Sequence, residues 1–452
     1  MTGLQPYPEY KPSGIDWLGD APAHWQVRRL KTSAVINPSK SETLVADVTE
    51  QVPFVPMERL GVDGRIDGSL RRLHHEVRNG FTYFREQDVL LAKITPCFEN
   101  GKSGVVPRLD GGFGYGSTEY HVLRARRVLT PQYLYRIVSS QWFRILGADF
   151  MEGSAGQKRV PTDFVANFPI PLPPLDEQRA IADFLDAMDA KITRFIAARR
   201  RMIVLLEEQK QAIINQAVTR GLDPDVSLKP SGIDWPGDIP AHWGVRRGAA
   251  LFTERNLTNV SELPILEVSL VSGVTVRDFE NSNRKQMMSD RAGYKVAKQG
   301  DLPYNMMRMW QGAVGVATTD GLVSPAYVVL APRSNVVGEY FSLLFRTPEC
   351  MAQFGGASRG IVSDRDRLYW ESFRQISFAM PPTAEQDAIV KAVHESSRKI
   401  DLTASRHRQE IGLIQEYRTR LISDVVTGKL DVRNGGSARP FSVNPGARKP
   451  DE

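Results

Sequence analysis

The side chains in this 452-residue chain best suited to chemistry are hydrogen-bonding ones, in two sets at corresponding places. Lys93, Thr95, Asn100, Lys102 and Ser103 follow a strand-like run in the first half; Asn305, Arg308, Trp310 and Gln311 follow one in the second. Further on, Gln157-Lys158-Arg159 and Ser358-Arg359 stand in glycine-rich loops. Arg and Lys suit guanine O6 and N7, Asn and Gln suit adenine N6 and N7, and such groups also hold phosphates. Any one of them alone reads as an ordinary surface polar residue. Their parallel placement makes the set a candidate DNA-binding surface.

Catalytic patterns fail where they are tested. Asn100-Gly101-Lys102-Ser103 ends like a phosphate-binding loop, but the leading glycine falls on Pro96, so a strand-to-strand turn is the better reading. The glycine-rich run Gly111 to Gly116 hints at a nucleotide or methyl-donor loop. No strand–loop–helix pattern with a downstream acid surrounds it, which favours a flexible loop. His74-His75 lack spaced cysteine or acidic partners and read as a surface loop, not a metal site. The chain has no Asn/Asp-Pro-Pro-aromatic tetrad, and no Ser/His/Asp arrangement can be singled out. We therefore expect no catalytic residue and no metal ligand here.

What must position the two sets is a duplicated frame. KPSGIDWLGDAPAHWQVRR, from Lys11 to Arg29, returns as KPSGIDWPGDIPAHWGVRR from Lys229 to Arg247, differing only at Leu18, Ala21 and Gln26. PPLDEQRAI from Pro173 leads a stretch closing in TRGLD, and PPTAEQDAI from Pro381 leads another closing in TGKLD. Between these anchors, residues 30–172 and 248–380 have diverged. They read as mixed α/β units with strands at Val89–Ile94, Glu119–Leu123 and Ala326–Leu330. A fainter match aligns Asp88-Val-Leu-Leu-Ala-Lys-Ile with Asp301-Leu-Pro-Tyr-Asn-Met-Met. Two equal frames with unequal fillings suit a protein that reads two different things at a fixed spacing.

Asp176 to Thr219 reads as one helix, with apolar residues at Ile181, Leu185, Met188, Ile192, Phe195, Met202, Leu206 and Ile213 in 4,3 spacing. Asp176 is a suitable N-cap, and Gly221 and Pro224 stop the far end. The second copy opens on Thr383-Ala-Glu-Gln386, a capping-box pattern, with a poorer seam at Ile389, Val393, Ile400, Ile414, Tyr417 and Leu421. Each helix would be ~65 Å long. An apolar stripe of that length must be buried, and the nearest partner is the other copy. The expected class is α+β: two mixed α/β domains separated by two long helices packed as an antiparallel coiled coil, in a pseudo-two-fold tandem repeat.

Composition agrees with a globular protein: 41% hydrophobic and 24% charged residues, and a net charge of +6. Arginine clusters at Arg28-Arg29, Arg71-Arg72, Arg124-Arg126-Arg127 and Arg199-Arg200-Arg201 fit phosphate neutralisation. Cys97 and Cys350 are the only cysteines, so no disulfide framework is expected and a reducing cytoplasm is the expected home. No apolar run approaches a membrane span.

With these residues in view, the chain resembles a type I restriction–modification specificity (S) subunit over Lys11 to about Asp431. The marks are GIDWLGDAPAHWQVRRL, PLPPLDEQRAIADFLDAMDAKI, LLAKITPCFENGKSG and YGSTEYHVLR. The resemblance implies two target-recognition domains, each reading half of a split site in double-stranded DNA. It also implies helical regions that set the spacing and dock two methyltransferase subunits, which restriction subunits join. The chain itself would have no catalysis and no cofactor, S-adenosylmethionine, ATP and Mg belonging to the partner subunits. The setting would be bacterial or archaeal cytoplasm, without membrane contact. The expected domains are a first recognition domain (1–172), a helical spacer (173–223), a second recognition domain (224–380), a second spacer (381–432) and a disordered tail (433–452). The rivals are a coiled-coil scaffold presenting two protein-binding modules and an enzyme with an unrecognised site, such as a nuclease.

Overall fold

The computed structural model describes residues 4–40, 51–154, 156–233, 235–260, 262–270, 272–277, 293–360 and 366–433. The chain divides into two compact units, residues 1–199 with 408–452 and residues 200–407. Both combine small sheets, short helices and half of each of two long helices, so the α+β expectation holds.

The long helices run over Leu175–Arg220 and Thr383–Val426. Pro173 and Pro174 cannot extend the strand Pro169–Leu172 into a helix, and Gly221, at φ +78°, ends the first helix in a left-handed turn. Within each unit the two helical halves run antiparallel. In the first, Arg199 pairs with Glu410 at 2.8 Å and Arg418 with Asp189 at 2.7 Å, so numbers rise on one helix as they fall on the other. In the second, Lys210 pairs with Asp401 at 2.8 Å, and Ala217 and Val218 share a core with Ile389 and Val393.

The seam is deepest towards the helix ends, where it joins the cores of the fillings. Ile181, Leu185 and Met188 are buried with Leu421, Val425 and Val426. Burial of each such side chain contributes about 1.5–3 kcal/mol. The middle departs from expectation: Met202 is 46% exposed, Val204 and Leu205 beside it in sequence are exposed, and so are Leu402 and Leu413 on the other long helix.

The expected capping box does not form. Thr383 Oγ1 donates to the Asn335 carbonyl, and Gln386 faces the filling instead of the helix start. Gln386 Oε1 accepts from the Val337 amide at 2.8 Å, while Nε2 donates to the carbonyls of Asn335 (3.2 Å) and Pro381 (2.9 Å). Gln178 repeats this arrangement, accepting from Thr130 N at 2.8 Å and donating to Val128 O and Pro173 O at 2.9 Å each. Both glutamines are fully buried, and each holds the start of a helix, Pro131–Val138 or Gly338–Phe345, against a long helix. The preceding glutamate clamps the repeated head. Glu177 accepts from Trp25 Nε1 (3.1 Å), His24 Nε2 (2.8 Å) and the Tyr7 hydroxyl; Glu385 accepts from His242 Nε2 (2.7 Å). Burial and the Glu177 carboxylate push the Tyr7 phenol far above its ordinary pKa.

Each head forms two short antiparallel pairs. Tyr10–Pro12 pairs with Asp20–Pro22 and Gln26–Arg29 with Pro169–Leu172; Leu228–Pro230 pairs with Asp238–Pro240 and Gly244–Arg247 with Ser377–Met380. The central sheets also correspond. One has the order Ala34–Ile36, Tyr120–Ala125, Val89–Ala92, Ser103–Val105, and the other Phe252–Glu254, Tyr327–Pro332, Leu302–Asn305. The faint match therefore links equivalent strands. Asp88 and Asp301, each buried just before its strand, pair with Arg124 (2.8 Å) and Arg255 (2.5 Å).

The second sheet is where the fillings differ. In the first unit its order is Arg71–Leu73, Gln51–Val55, Phe113–Gly116, Thr82–Arg85, with a parallel pairing of Tyr115 to Phe54. In the second unit two antiparallel pairs stand instead, Leu266–Ser269 with Gly273–Val276 and Lys295–Ala297 with Gly321–Val323. Two expectations are corrected here. The run ending at Gly116 is a strand, not a flexible loop. A Cβ at Gly116 would lie 2.4 Å from the Val55 carbonyl oxygen, so glycine is needed for close strand approach. His74 is not on a surface loop; it opens the helix His74–Val77, is buried, and binds the Tyr115 hydroxyl at 3.2 Å. The expected tail lies outside the described residues beyond Arg433. Arg433 itself pairs with Asp431 at 2.7 Å and stacks 5.0 Å from the Tyr7 ring.

Candidate nucleic-acid interface

In the first unit the fold joins two stretches far apart in sequence. The chain leaving the strand Val89–Ala92 runs beside the return segment 157–160. Thr95 N donates to Lys158 O at 2.9 Å, Val160 N to Lys93 O at 2.8 Å, and Ile94 bridges Arg159. Lys93, Thr95, Gln157, Lys158 and Arg159 thus form one patch, and the last three are exposed. Arg159 grips Glu119 with two hydrogen bonds, Nε to Oε2 at 2.9 Å and Nη2 to Oε1 at 2.7 Å. That bond and the charge of Arg159 outweigh desolvation and hold the Glu119 carboxyl below the ordinary range, with Lys93 adding to the effect. Glu119 is thereby paired within the patch, and Lys93 and Lys158 exceed by one the remaining acid beside them, Glu152, which is joined to Arg159 by both backbone hydrogen bonds.

His121 buttresses the patch from beneath. Its Nε2 donates to the Val160 carbonyl at 3.0 Å, and its Nδ1 accepts from Asn37 Nδ2 at 3.3 Å. Burial lowers its pKa, which keeps the ring neutral and suited to that pairing.

The turn residues are divided. Asn100 is exposed, whereas Lys102 Nζ donates to the Met57 carbonyl at 2.8 Å. Ser103 is fully buried, its hydroxyl donating to Gly101 O at 3.3 Å. Ser103 therefore cannot meet a base edge in this conformation: its position after the turn returns it to the sheet interior.

The second unit builds its patch at the equivalent place with other side chains. Beyond Leu302–Asn305, the Asn305 Oδ1 accepts from Met307 N at 2.9 Å and a 3-10 turn follows at Met309–Gln311. Trp310 is 48% exposed, and its Nε1 donates to Met307 O at 3.1 Å, which fixes the indole. Arg308 Nε binds Gln311 Oε1 at 2.8 Å. The Met306 carbonyl accepts from Leu368 N at 2.9 Å, and Arg359 pairs with Arg367 through both backbone hydrogen bonds. So Arg308, Trp310 and Arg359 are brought together, while the Ser358 hydroxyl turns back to Phe354 O at 2.7 Å. Reading the sequence missed Arg367, Tyr369 and Met307, all exposed here. The charged-aromatic run Arg367-Leu-Tyr369 was the available signal. The clamps at Glu177-Gln178 and Glu385-Gln386 were also missed, although their repetition was visible.

Residues 22–201 match a family model described as the type I restriction modification DNA specificity domain. The specificity-family match ends in the first long helix, and the internal repeat extends the likeness to the second unit. Among its relatives are the Escherichia coli type I restriction enzyme EcoEI and EcoAI specificity subunits, 42% and 39% identical over 165 residues. That stretch is 36% of this chain, and the chain spans only 27% of the length of either relative. A putative type I restriction enzyme MjaX specificity subunit from Methanocaldococcus jannaschii is 20% identical over 431 residues, 92% of this chain and 96% of that one. Two solved chains share the fold. One, from a type I R-M system, has a TM-score of 0.68 at 18% identity, covering 91% of this chain and 99% of that one. The other is the HsdS subunit from Thermoanaerobacter tengcongensis, with a TM-score of 0.57 at 19% identity, covering 91% and 98%.

Proposed function

We propose that this chain is the non-catalytic specificity subunit of a type I restriction–modification complex. Each unit reads one half of a bipartite DNA site, and the long helices fix the interval between readers and dock two methyltransferase subunits, which restriction subunits join. The observation that carries the reading is the pair of patches: one frame and one strand position, with different side chains on it. Lys93, Lys158 and Arg159 stand in one unit where Arg308, Trp310 and Arg359 stand in the other. Such groups supply phosphate contacts and guanine readout, and a shared scaffold with unshared tips suits two different half-sites. The exposed mid-helix residues Met202, Val204, Leu205, Leu402 and Leu413 supply apolar surface for the methyltransferase subunits. Those partners would carry S-adenosylmethionine, and ATP and Mg would act in the restriction subunits. A bacterial or archaeal cytoplasm is the proposed setting.

The test is modular exchange. Replacing residues 30–172 with the corresponding segment of a relative is expected to change one half of the methylated motif and leave the other as it was. Mapping modified adenines in cells carrying the hybrid reads this directly. A change in both halves would end the two-reader model.

A further inference from the structure

The two head loops invert the usual pattern of divergence. Of the three differences between Lys11–Arg29 and Lys229–Arg247, two fall where the first copy is buried. Leu18 is 3% exposed and becomes Pro236; Ala21 is fully buried and becomes Ile239, itself fully buried. The solvent-facing charges are unchanged. Lys11, Asp20 and Arg28 return as Lys229, Asp238 and Arg246, all exposed. A core repacks as long as volume is kept, whereas an exposed charge has no packing reason to stay. Nor does the fold use these charges: among the described residues the side chains of Lys11 and Asp20 have no hydrogen-bond or ion-pair partner, and neither do those of Lys229 and Asp238.

Beside each loop lies an open groove. In the first unit Ile15 and Trp17 line a hollow of about 550 Å³ with Phe150, Phe164 and Phe168. Trp17 stacks on Phe168 at 5.2 Å, and Phe150 is 59% exposed. Asp163 and Glu152 stand on its rim. In the second unit Ile233 and Trp235 line a hollow of about 690 Å³ with Ala352, Gly356 and Ile376. The walls supplied by the fillings have changed, but the loop's Ile and Trp have not.

We propose that the two head loops are a matched pair of docking sites, each taking the same segment of one methyltransferase subunit. This rests on the assembly proposed above. A surface kept in duplicate on diverged fillings calls for a partner that is itself present twice. Charge complementarity gives its chemistry: an apolar side chain seated beside Trp17 or Trp235, flanked by lysine or arginine facing Asp20 or Asp238. These aspartates also disfavour DNA, whose phosphates they would repel.

The experiment uses the full chain co-expressed with the methyltransferase subunit of its own system, with complexes weighed by native mass spectrometry. D20K and D238K are each expected to weaken capture of one partner copy by roughly tenfold or more, since a like charge is set against a basic segment. Each single variant should leave a complex with one methyltransferase copy, and the double variant should leave none. Thermal unfolding of the isolated variants, unchanged from wild type, separates lost docking from lost folding. A double variant that keeps both copies overturns the inference alone. So does tighter DNA binding with unaltered stoichiometry, which would make the loops a DNA-facing surface. A wild-type chain that captures no methyltransferase overturns the assembly reading and this inference with it.

Discussion

In the first unit, Arg136 on the helix Pro131–Val138 reaches two aspartates of the long helix, Asp186 and, at 2.6 Å, Asp189; Arg418 closes the network on Asp189 at 2.7 Å. The corresponding places in the second unit follow from the shared Tyr133/Tyr340, Gln178/Gln386 and Thr427/Thr219 positions. There stand Leu343, His394, Ser397 and Lys210, and all four line an open cleft of about 930 Å³. One attachment of filling to helix centres on a buried arginine held by two aspartates; the other has Leu343 in the arginine's place beside an open cleft, with an exposed His394–Glu339 pair at 3.2 Å. After duplication the frame was kept and the fastening was solved again. A buried arginine shared by two aspartates is directional and fixes one geometry; a leucine beside an open cleft specifies less and tolerates more.

The largest effect should come from breaking the lock. Arg136 is 3% exposed, so R136L strands its aspartates with one partner fewer and is expected to cost about 3 kcal/mol in urea unfolding. Carrying over the rest of the second unit's solution, as R136L with D186H, D189S and R418K, should recover most of that loss, because no buried charge is left unpaired. If the fourfold variant is as unstable as R136L alone, the two fastenings are not alternatives. The lock also carries an acid signature. Burial pushes the Asp189 carboxyl up, but the hydrogen bonds and charges of Arg418 and Arg136 outweigh it and hold its pKa below the ordinary value. Its contribution is therefore complete above the unfolded value of about 4 and is lost as pH falls through the folded one. D189N should flatten that acid limb of the stability profile.

Where the units agree, their losses should agree. Q178A and Q386A each orphan two carbonyls and an amide, so each is expected to cost about 2 kcal/mol. Unequal losses would mean that the shared clamp is shared only in appearance.

The finest comparison is between two tryptophans. Trp25 donates to Glu177, whereas Trp243 Nε1 has no partner among the described residues. W25F and W243F remove the same volume, but W25F should cost about 1 kcal/mol more. Equal melting shifts would show that the indole hydrogen bond contributes nothing.

The frame was legible because repetition marks it and helical periodicity gives its type. Helix ends came within one residue, since Pro173-Pro174 and Gly221 stop the chain by simple sterics. What stayed hidden was tertiary. Thr383 and Gln386 fit a capping box by spacing, but a buried glutamine beside free carbonyls and an amide finds better partners in the filling. The glycines before Ser117 look like a loop until the neighbouring strand is in place. At the candidate surface, the adjacency of Lys93 and Lys158 depends on a backbone pairing across more than sixty residues, which no local pattern announces. Ser103 shows the opposite limit, because its side-chain chemistry suits DNA while its position in the sheet buries it.

The first unit's core draws Leu421, Val425 and Val426 from the chain's far end, and Asp431 N donates to Gln5 O at 2.8 Å, tying the two ends together. The second unit, residues 200–407, is made of one continuous stretch. During synthesis the stretch up to Arg199 must therefore wait for roughly 200 further residues, some 10–40 s at about 5–20 residues per second, before its own wall arrives. The unit begun first on the ribosome is the last to close. Until then Trp25, Ile181 and Leu185 face water or a chaperone, while the younger unit already has all of its parts.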